Sequence, residues 1–268
     1  MQIKKITKQS IAEAVEILKA GGIVVYPTET AYALGCDATD KIAKKRIFKI
    51  KNRPVDKNLP MICATKKMAF DFFKFGKIEK NLAQKYWPGP LSIVLSPCHC
   101  EESATRQSHQ YGIATPSEGL AMTADGVPVR ISSNKIACAL SRGLHHPIIS
   151  TSANVSGKKT LYEVKEIIRE FKNKKYQPAS TRACLALESR RVKRGEPAST
   201  RVKRGEPDLI LDAGKLPKRP PSTIIKIENE KVIVVRQGEI KICPVRPTLT
   251  SVMPCITGKN YPKSLGKK

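Results

Sequence analysis

Apolar residues between positions 11 and 18 recur as Ile11, Val15 and Leu18, the spacing of one helix face. Ser10 and Glu13 read as a capping box at its start, and Gly21-Gly22 as its stop. The unbroken apolar run Ile23–Tyr26 then predicts a buried strand. Helical spacing returns over residues 40–52 (Ala43, Ile47, Ile50) and 78–87 (Ile78, Leu82, Tyr86), the latter stopped by Pro88-Gly89-Pro90. Met61–Ala64, Leu91–Leu95 and Val127–Ile131 read as strands. Asn134 caps a helix ending at Gly143, and the strand Pro147–Thr151 follows. Thr160 and Glu163 make a second capping box, opening a helix that buries Val164, Ile167, Ile168 and Phe171. The last third predicts a strand Leu209–Leu211 and a hairpin pairing Thr223–Ile227 with Val232–Val235 across Glu228-Asn229-Glu230. Strands and helices alternate while hairpins intrude, so the pattern predicts an α/β (α+β) chain with a mixed sheet flanked by helices in one domain.

Two stretches interrupt this order. Residues 97–123 are polar and patternless, and residues 178–207 contain a repeat, Arg191-Val192-Lys193-Arg194-Gly195-Glu196-Pro197 recurring at Arg201–Pro207. A ten-residue period present twice is too short for a solenoid. Both stretches read as disordered, low-complexity surface insertions in a domain spanning residues 1–240. Residues 241–268 read as a basic, flexible tail.

Charge sharpens the picture. The chain of 268 residues carries a formal +26, of which residues 178–207 contribute +5 and residues 241–268 contribute +6. The remaining +15 favours phosphate-rich partners, nucleotides or RNA, or else reflects a general lysine bias. No apolar run approaches the ~20 residues that span a bilayer, which argues against a membrane role. The N-terminus reads as the approach to a helix rather than a signal-peptide core. Eight scattered cysteines, most in apolar segments, fit a reduced cytoplasmic setting.

Candidate chemistry gathers in a few runs. Pro27-Thr28-Glu29-Thr30 puts two hydroxyls and a carboxylate at a strand end, and Lys51-Asn52-Arg53 ends a helix with two cations before Pro54. Hydroxyls beside a Lys-x-Arg pair suit a polyanion such as a nucleoside triphosphate. Taken alone, the pair also fits a solvated helix end. Arg130, between Val129 and Ile131, is either a functional cation or one arm of a salt bridge within the sheet. Ser150-Thr151-Ser152-Ala153-Asn154 supplies hydroxyls and an amide at a strand exit, where turn chemistry alone also favours them. Cys98-His99-Cys100 has the wrong spacing for zinc, with no second ligand pair. His145-His146 reads as an exposed turn.

The ordered runs PTETAYALGCDA, KNRPVDKNL, WPGPLSIVL, PVRIS, STSANVSG and PSTII resemble the YrdC/Sua5 family of threonylcarbamoyl-AMP synthases. The likeness covers residues 10 to about 240, without the additional C-terminal domain of the longer Sua5 type. It implies a YrdC/RibB-like twisted mixed sheet with an open basic cavity, and a nucleotidyltransferase joining L-threonine, bicarbonate or CO2, and ATP with release of pyrophosphate. The product would feed threonylcarbamoyladenosine modification beside the anticodon through a downstream tRNA transferase complex, with possible tRNA or double-stranded RNA contact. The resemblance places Lys51 and Arg53 as catalytic phosphate-gripping cations. It puts Lys57, Ser152, Asn154, Thr160 and Arg236 with them on ATP, and Thr30, Arg130, Ser150 and Ser222 on threonine. Thr28 would support Thr30 or merely cap the strand. Mg²⁺ would accompany ATP, with Glu29 and Asp37 as loose candidate ligands and no protein-built site announced.

The chain departs from the family pattern at Ala31 and Ala33, where a valine and a glycine are usual, and at Gly126, near a hydroxyl position in some relatives. A lost glycine matters if its backbone needs positive φ. The competing reading is a double-stranded RNA-binding or ribosome-associated protein without synthase activity. It predicts steep salt dependence and no threonine requirement. A carbamoyl-AMP-forming domain of the hydrogenase-maturation kind is disfavoured, because the chain has no Cys-x-x-Cys pair.

Overall fold

Helix α1 (Lys8–Lys19) starts three residues earlier than the capping pattern implies, because Thr7 caps it. The Thr7 hydroxyl accepts from Ser10 N, and Ser10 Oγ accepts from Thr7 N, so Ser10 closes the box rather than opening it. The computed structural model describes residues 1–53, 58–98, 126–172 and 205–242. The two expected insertions and the basic tail fall almost entirely outside the described residues.

The strands form two mixed sheets where the sequence pattern predicts one. The first contains β1 (Gln2–Lys5), β9 (Leu209–Asp212), β2 (Val24–Pro27), β3 (Tyr32–Gly35) and β8 (Thr151–Ser152), in that order. The second runs β11 (Lys231–Arg236), β10 (Thr223–Glu228), β5 (Leu91–Leu95), β6 (Val127–Arg130), β4 (Met61–Ile62) and β7 (Ile148–Ile149). The expected strand Pro147–Thr151 is therefore split. β7 pairs with β4, β8 pairs with β3, and Ser150 is where the chain crosses from one sheet to the other.

Alternation along β2 builds two cores. Ile23 and Val25 join the large cluster shared by both sheets, with α2 (Lys41–Lys51), α3 (Lys66–Phe72), α4 (Lys77–Tyr86) and α6 (Val164–Lys172) packed on it. Val24 and Tyr26 point the other way, to α1 and α5 (Lys135–Leu144). The hairpin of β10 and β11 forms as expected, its two-residue turn made by Asn229 and Glu230, both at positive φ.

The two sheets meet where Gly35 passes Ile149. Ile149 N donates to Cys36 O (2.9 Å), and the Tyr26 hydroxyl donates to Ile149 O (3.0 Å). A Cβ on Gly35 would run into both the Ile149 carbonyl and the Tyr26 ring. Gly35→Ala should therefore cost about 1–3 kcal/mol by overpacking, read as a lower denaturant midpoint with unchanged m-value.

Candidate active site

A cavity of about 470 Å³ opens beside this junction and draws its walls from both sheets. Five cations line it (Arg53, Arg130, Arg219, Lys226 and Arg236), and no Asp or Glu does among the described residues. Threonine and serine hydroxyls fill much of the remaining polar surface. Such a wall suits anions.

The turn between β2 and β3 presents the first hydroxyls. Thr28 Oγ1 donates to Ala31 O (2.7 Å) and lies 3.2 Å from Thr30 Oγ1. Its hydroxyl thereby closes the turn, while Thr30 stands in the cavity wall beside it. Glu29 is drawn behind the wall instead. Its carboxylate lies 3.1 Å from Arg130 Nε and accepts from the Ser132 hydroxyl, with the Glu29 and Arg130 side chains 5% and 6% exposed. Arg130 thus combines both sequence readings: it is ion-paired within the fold and also lines the cavity.

Arg236 sits on the end of β11 and donates to Ser222 O through Nε (3.1 Å) and Nη2 (2.8 Å). Burial, then the nearby positive charge of Arg130, pulls its pKa below the usual arginine value. Two cations that raise each other's cost in one pocket favour an anion between them. Ser222 Oγ accepts from Arg236 Nη2 (3.0 Å) and from the buried Ser92 hydroxyl (3.3 Å). With both acceptor positions occupied, its own proton is left to donate into the cavity. Ser150 Oγ is buried in the wall beside the Tyr26 hydroxyl and, among the described residues, completes no hydrogen bond of ordinary geometry.

Lys51 departs from its expected place. Its side chain is 2% exposed and does not line the cavity. The ammonium donates to Ser152 O (2.5 Å), Asn154 O (2.8 Å) and Asn154 Oδ1 (3.2 Å). The long side chain reaches under the 152–154 loop because the oxygen acceptors there repay its desolvation. Asn154 is likewise a loop-builder behind the wall. Its Oδ1 accepts from Ser152 Oγ (2.6 Å), and its Nδ2 donates to Lys158 O (2.5 Å) and Lys159 O (3.2 Å). Ser152, Thr160 and Arg53 do reach the cavity, Arg53 Nη2 donating to Asn58 O (3.1 Å). Lys57 lies outside the described residues.

Thr160 lines the cavity without capping a helix, since α6 begins at Val164. The capping box does not form: with the helix starting at Val164, Glu163 stands just before it rather than in its first turn, and its carboxylate faces Lys215 Nζ at 2.7 Å. Asp37 is committed too: its carboxylate accepts from Thr39 N (2.8 Å) and Thr39 Oγ1 (2.7 Å) and faces His146 at 3.5 Å. Burial opposes its charge, but the His146 and Thr39 contacts outweigh it and hold the carboxyl below its usual value. His146 is correspondingly half-buried, edge-on to Phe72, rather than part of an exposed turn. Among the described residues no three His, Cys, Asp or Glu side chains gather as a metal site. His99 and Cys100 lie outside them.

The departures from the family pattern are accommodated. Ala33 pairs with Tyr26 and Ser152 in regular strand geometry, so no glycine is required there. Gly126 has φ +76°, and a Cβ would press on the Leu95 carbonyl; its own carbonyl accepts from Asn58 Nδ2. A hydroxyl-bearing residue at Gly126 would be strained, which explains glycine at that point. Burial also pushes the Cys36 and Cys63 thiols up, away from reactivity.

Wall residues that sequence reasoning passed over are Asn58, Tyr162, Arg219 and Lys226. Arg219 carried the clearest signal, a cation inside Lys218-Arg219-Pro220-Pro221 directly before Ser222.

Among curated proteins, the chain is 29% identical over 167 residues to the threonylcarbamoyl-AMP synthase of Escherichia coli strain K12, covering 61% of this chain and 80% of the relative. It is 29% identical over 153 residues to the synthase of Idiomarina loihiensis, covering 56% and 74%. The fold is similar to that of P. abyssi Sua5 complexed with L-threonine, with TM-score 0.63 and 26% identity, covering 88% of this chain and 56% of that one. The chain thus spans little more than half the length of the P. abyssi protein. E. coli YciO, at 24% identity and TM-score 0.61, shares the fold over 88% of this chain and 93% of its own. A family model named for Sua5, YciO and YrdC, described as telomere recombination, matches residues 16–177. That match takes in more than half the sequence, and the chain belongs to the Sua5/YciO/YrdC family.

Proposed function

We propose that the protein is a threonylcarbamoyl-AMP synthase, acting on L-threonine, CO2 supplied from bicarbonate, and ATP. The observation that carries this reading is the convergence of Arg53, Arg130 and Arg236 on one hydroxyl-lined cavity with no acid in its described wall. The family relatives named for this activity and the threonine complex of P. abyssi Sua5 support it.

In the reaction the neutral amine of threonine adds to CO2, forming a C–N bond and releasing one proton. A carbamate oxygen then attacks the α-phosphorus of ATP. The new O–P bond forms as the bond to the bridging oxygen breaks, and pyrophosphate leaves with the electron pair. No covalent enzyme intermediate is needed, so catalysis rests on positioning and on screening three negative groups.

Arg130 is assigned to the threonine carboxylate, its guanidinium held at the correct angle by Glu29. Ser222 donates to a second carboxylate or carbamate oxygen, and Thr30 and Ser150 complete the threonine side. Arg53 and Arg236 take the phosphates, with Ser152 and Thr160 contributing hydroxyls. Lys51 and Asn154 act as positioning residues, holding the loop that presents Ser152.

Magnesium is expected with ATP. The described wall offers hydroxyls but no carboxylate, and Glu29 and Asp37 are already engaged, so the ion would ride on phosphate oxygens and water. When bound it would neutralise and fold the triphosphate. The product would be handed to a tRNA threonylcarbamoyl transferase complex for modification next to the anticodon.

The test is pyrophosphate release by the purified protein with each substrate omitted in turn. Release that requires threonine, bicarbonate and ATP together is expected. Release indifferent to threonine would overturn the assignment and favour the RNA-binding alternative.

A further inference from the structure

Four of the five wall cations are committed within the protein. Arg53 donates to Asn58 O, Arg130 pairs with Glu29, Arg236 holds Ser222, and Lys226 Nζ lies 2.6 Å from Glu228. Arg219 differs. Among the described residues its guanidinium makes no hydrogen bond or ion pair, and the residue is exposed at the cavity wall.

Its backbone, by contrast, is tied down. Residues 213–222 run as a strap from β9 to β10, and the Tyr32 hydroxyl fastens its start by accepting from Ala213 N (2.9 Å) and donating to Gly214 O (2.8 Å). Burial, outweighing the Ala213 contact, raises the Tyr32 pKa to about 12, so the phenol keeps the proton it donates. Leu216 N donates to Tyr162 O (2.9 Å), and Glu239 N donates to Pro221 O (3.0 Å). Pro217, Pro220 and Pro221 restrict what backbone freedom remains. A fixed main chain carrying an uncommitted arginine is a preorganised anion ligand.

We propose that Arg219 binds the β- and γ-phosphates of ATP and then the departing pyrophosphate. This rests on reading the cavity as an ATP-dependent synthase site. Arg219 lies three residues before Ser222, the residue that anchors Arg236, so the two arginines bracket one stretch of wall. The threonine carboxylate is a small group served by the buried Arg130, whereas a triphosphate is long enough to reach an exposed side chain. Negative charge accumulates on the leaving pyrophosphate during the reaction, and a second guanidinium there favours its departure.

Calorimetric titration of the full chain and of Arg219→Ala and Arg219→Lys decides the matter. The ligands are α,β-methylene ATP, pyrophosphate, AMP and L-threonine, with threonine present during the nucleotide titrations. Arg219→Ala should weaken the ATP analogue and pyrophosphate about tenfold, a loss of about 1.4 kcal/mol. Arg219→Lys should recover part of that loss. AMP and threonine affinities and the melting temperature should stay as in the parent, since Arg219 is exposed and the contact is to the phosphates AMP lacks. An Arg219→Ala variant that binds the analogue and pyrophosphate as tightly as the parent overturns the role of Arg219 alone. An equal loss for AMP also overturns it. A parent that binds no ATP analogue overturns the reading of the whole site, and this proposal with it.

Discussion

Arg130→Ala should abolish threonine-dependent pyrophosphate release, lowering kcat/KM for threonine by roughly a hundredfold or more. Breaking a buried ion pair by removing one partner costs about 3–5 kcal/mol, and each 1.4 kcal/mol is about tenfold. Under the proposed assignment two effects combine: the threonine carboxylate would lose its guanidinium partner, and Glu29 would be left as an unpaired buried carboxylate. A second variant separates them. Glu29→Gln with Arg130→Met removes both charges, so the fold should recover stability relative to Arg130→Ala while threonine binding stays lost. Circular dichroism melts report the first and threonine titration the second. Wild-type threonine affinity in the double variant would move the carboxylate site away from Arg130.

Lys51→Met should destabilise the protein and impair ATP use together. The side chain of methionine fills similar space, so the loss is chiefly that of the ammonium and its contacts to Ser152 and Asn154. Hydrogen bonds to a charged group contribute about 1.5–3 kcal/mol each, less what water returns to the freed carbonyls. A net loss of about 3 kcal/mol corresponds to a melting temperature roughly 6–12 °C lower for a chain of this size. A direct phosphate ligand at the surface would behave differently, losing ATP affinity with little change in melting. Lys51→Met that melts like the parent would restore Lys51 to the phosphate clamp.

The sequence made the wall motifs legible because each is a short run at an element end, where residue type and position carry the chemistry. Thr30, Arg53, Arg130, Ser150, Ser152, Thr160, Ser222 and Arg236 all reach one cavity, although positions 30 and 236 are far apart along the chain. What stayed hidden depends on three-dimensional partners. β1 is polar and largely exposed at a sheet edge, so no alternation marks it; only its pairing with β9, some two hundred residues later, makes it a strand. β3 is buried on both faces and lacks a period-two signal. The inward turn of Lys51 depends on where the 152–154 loop lies, which spacing around Lys51 cannot convey. The absent capping box at Thr160 shows the same limit, because the helix starts only at Val164, after Thr160 and Tyr162 have reached the cavity wall.

The two-sheet arrangement has the same origin. Pro147–Thr151 reads as one strand because Ile148 and Ile149 run into β-branched Thr151 with no glycine or proline between them to mark a break, yet Ser150 hands the chain from β7 to β8. That break puts a hydroxyl in the cavity wall, so the departure from regular pairing and the formation of the site are one event.

The most direct measurement is mass spectrometry of the reaction with ATP, L-threonine and either ordinary or ¹³C-labelled bicarbonate. A threonine–carbamoyl–AMP adduct whose mass rises by one unit with the labelled carbon, and which is absent when threonine is omitted, is the predicted result. AMP or ADP without any adduct, from folded protein supplied with all three substrates, would contradict it.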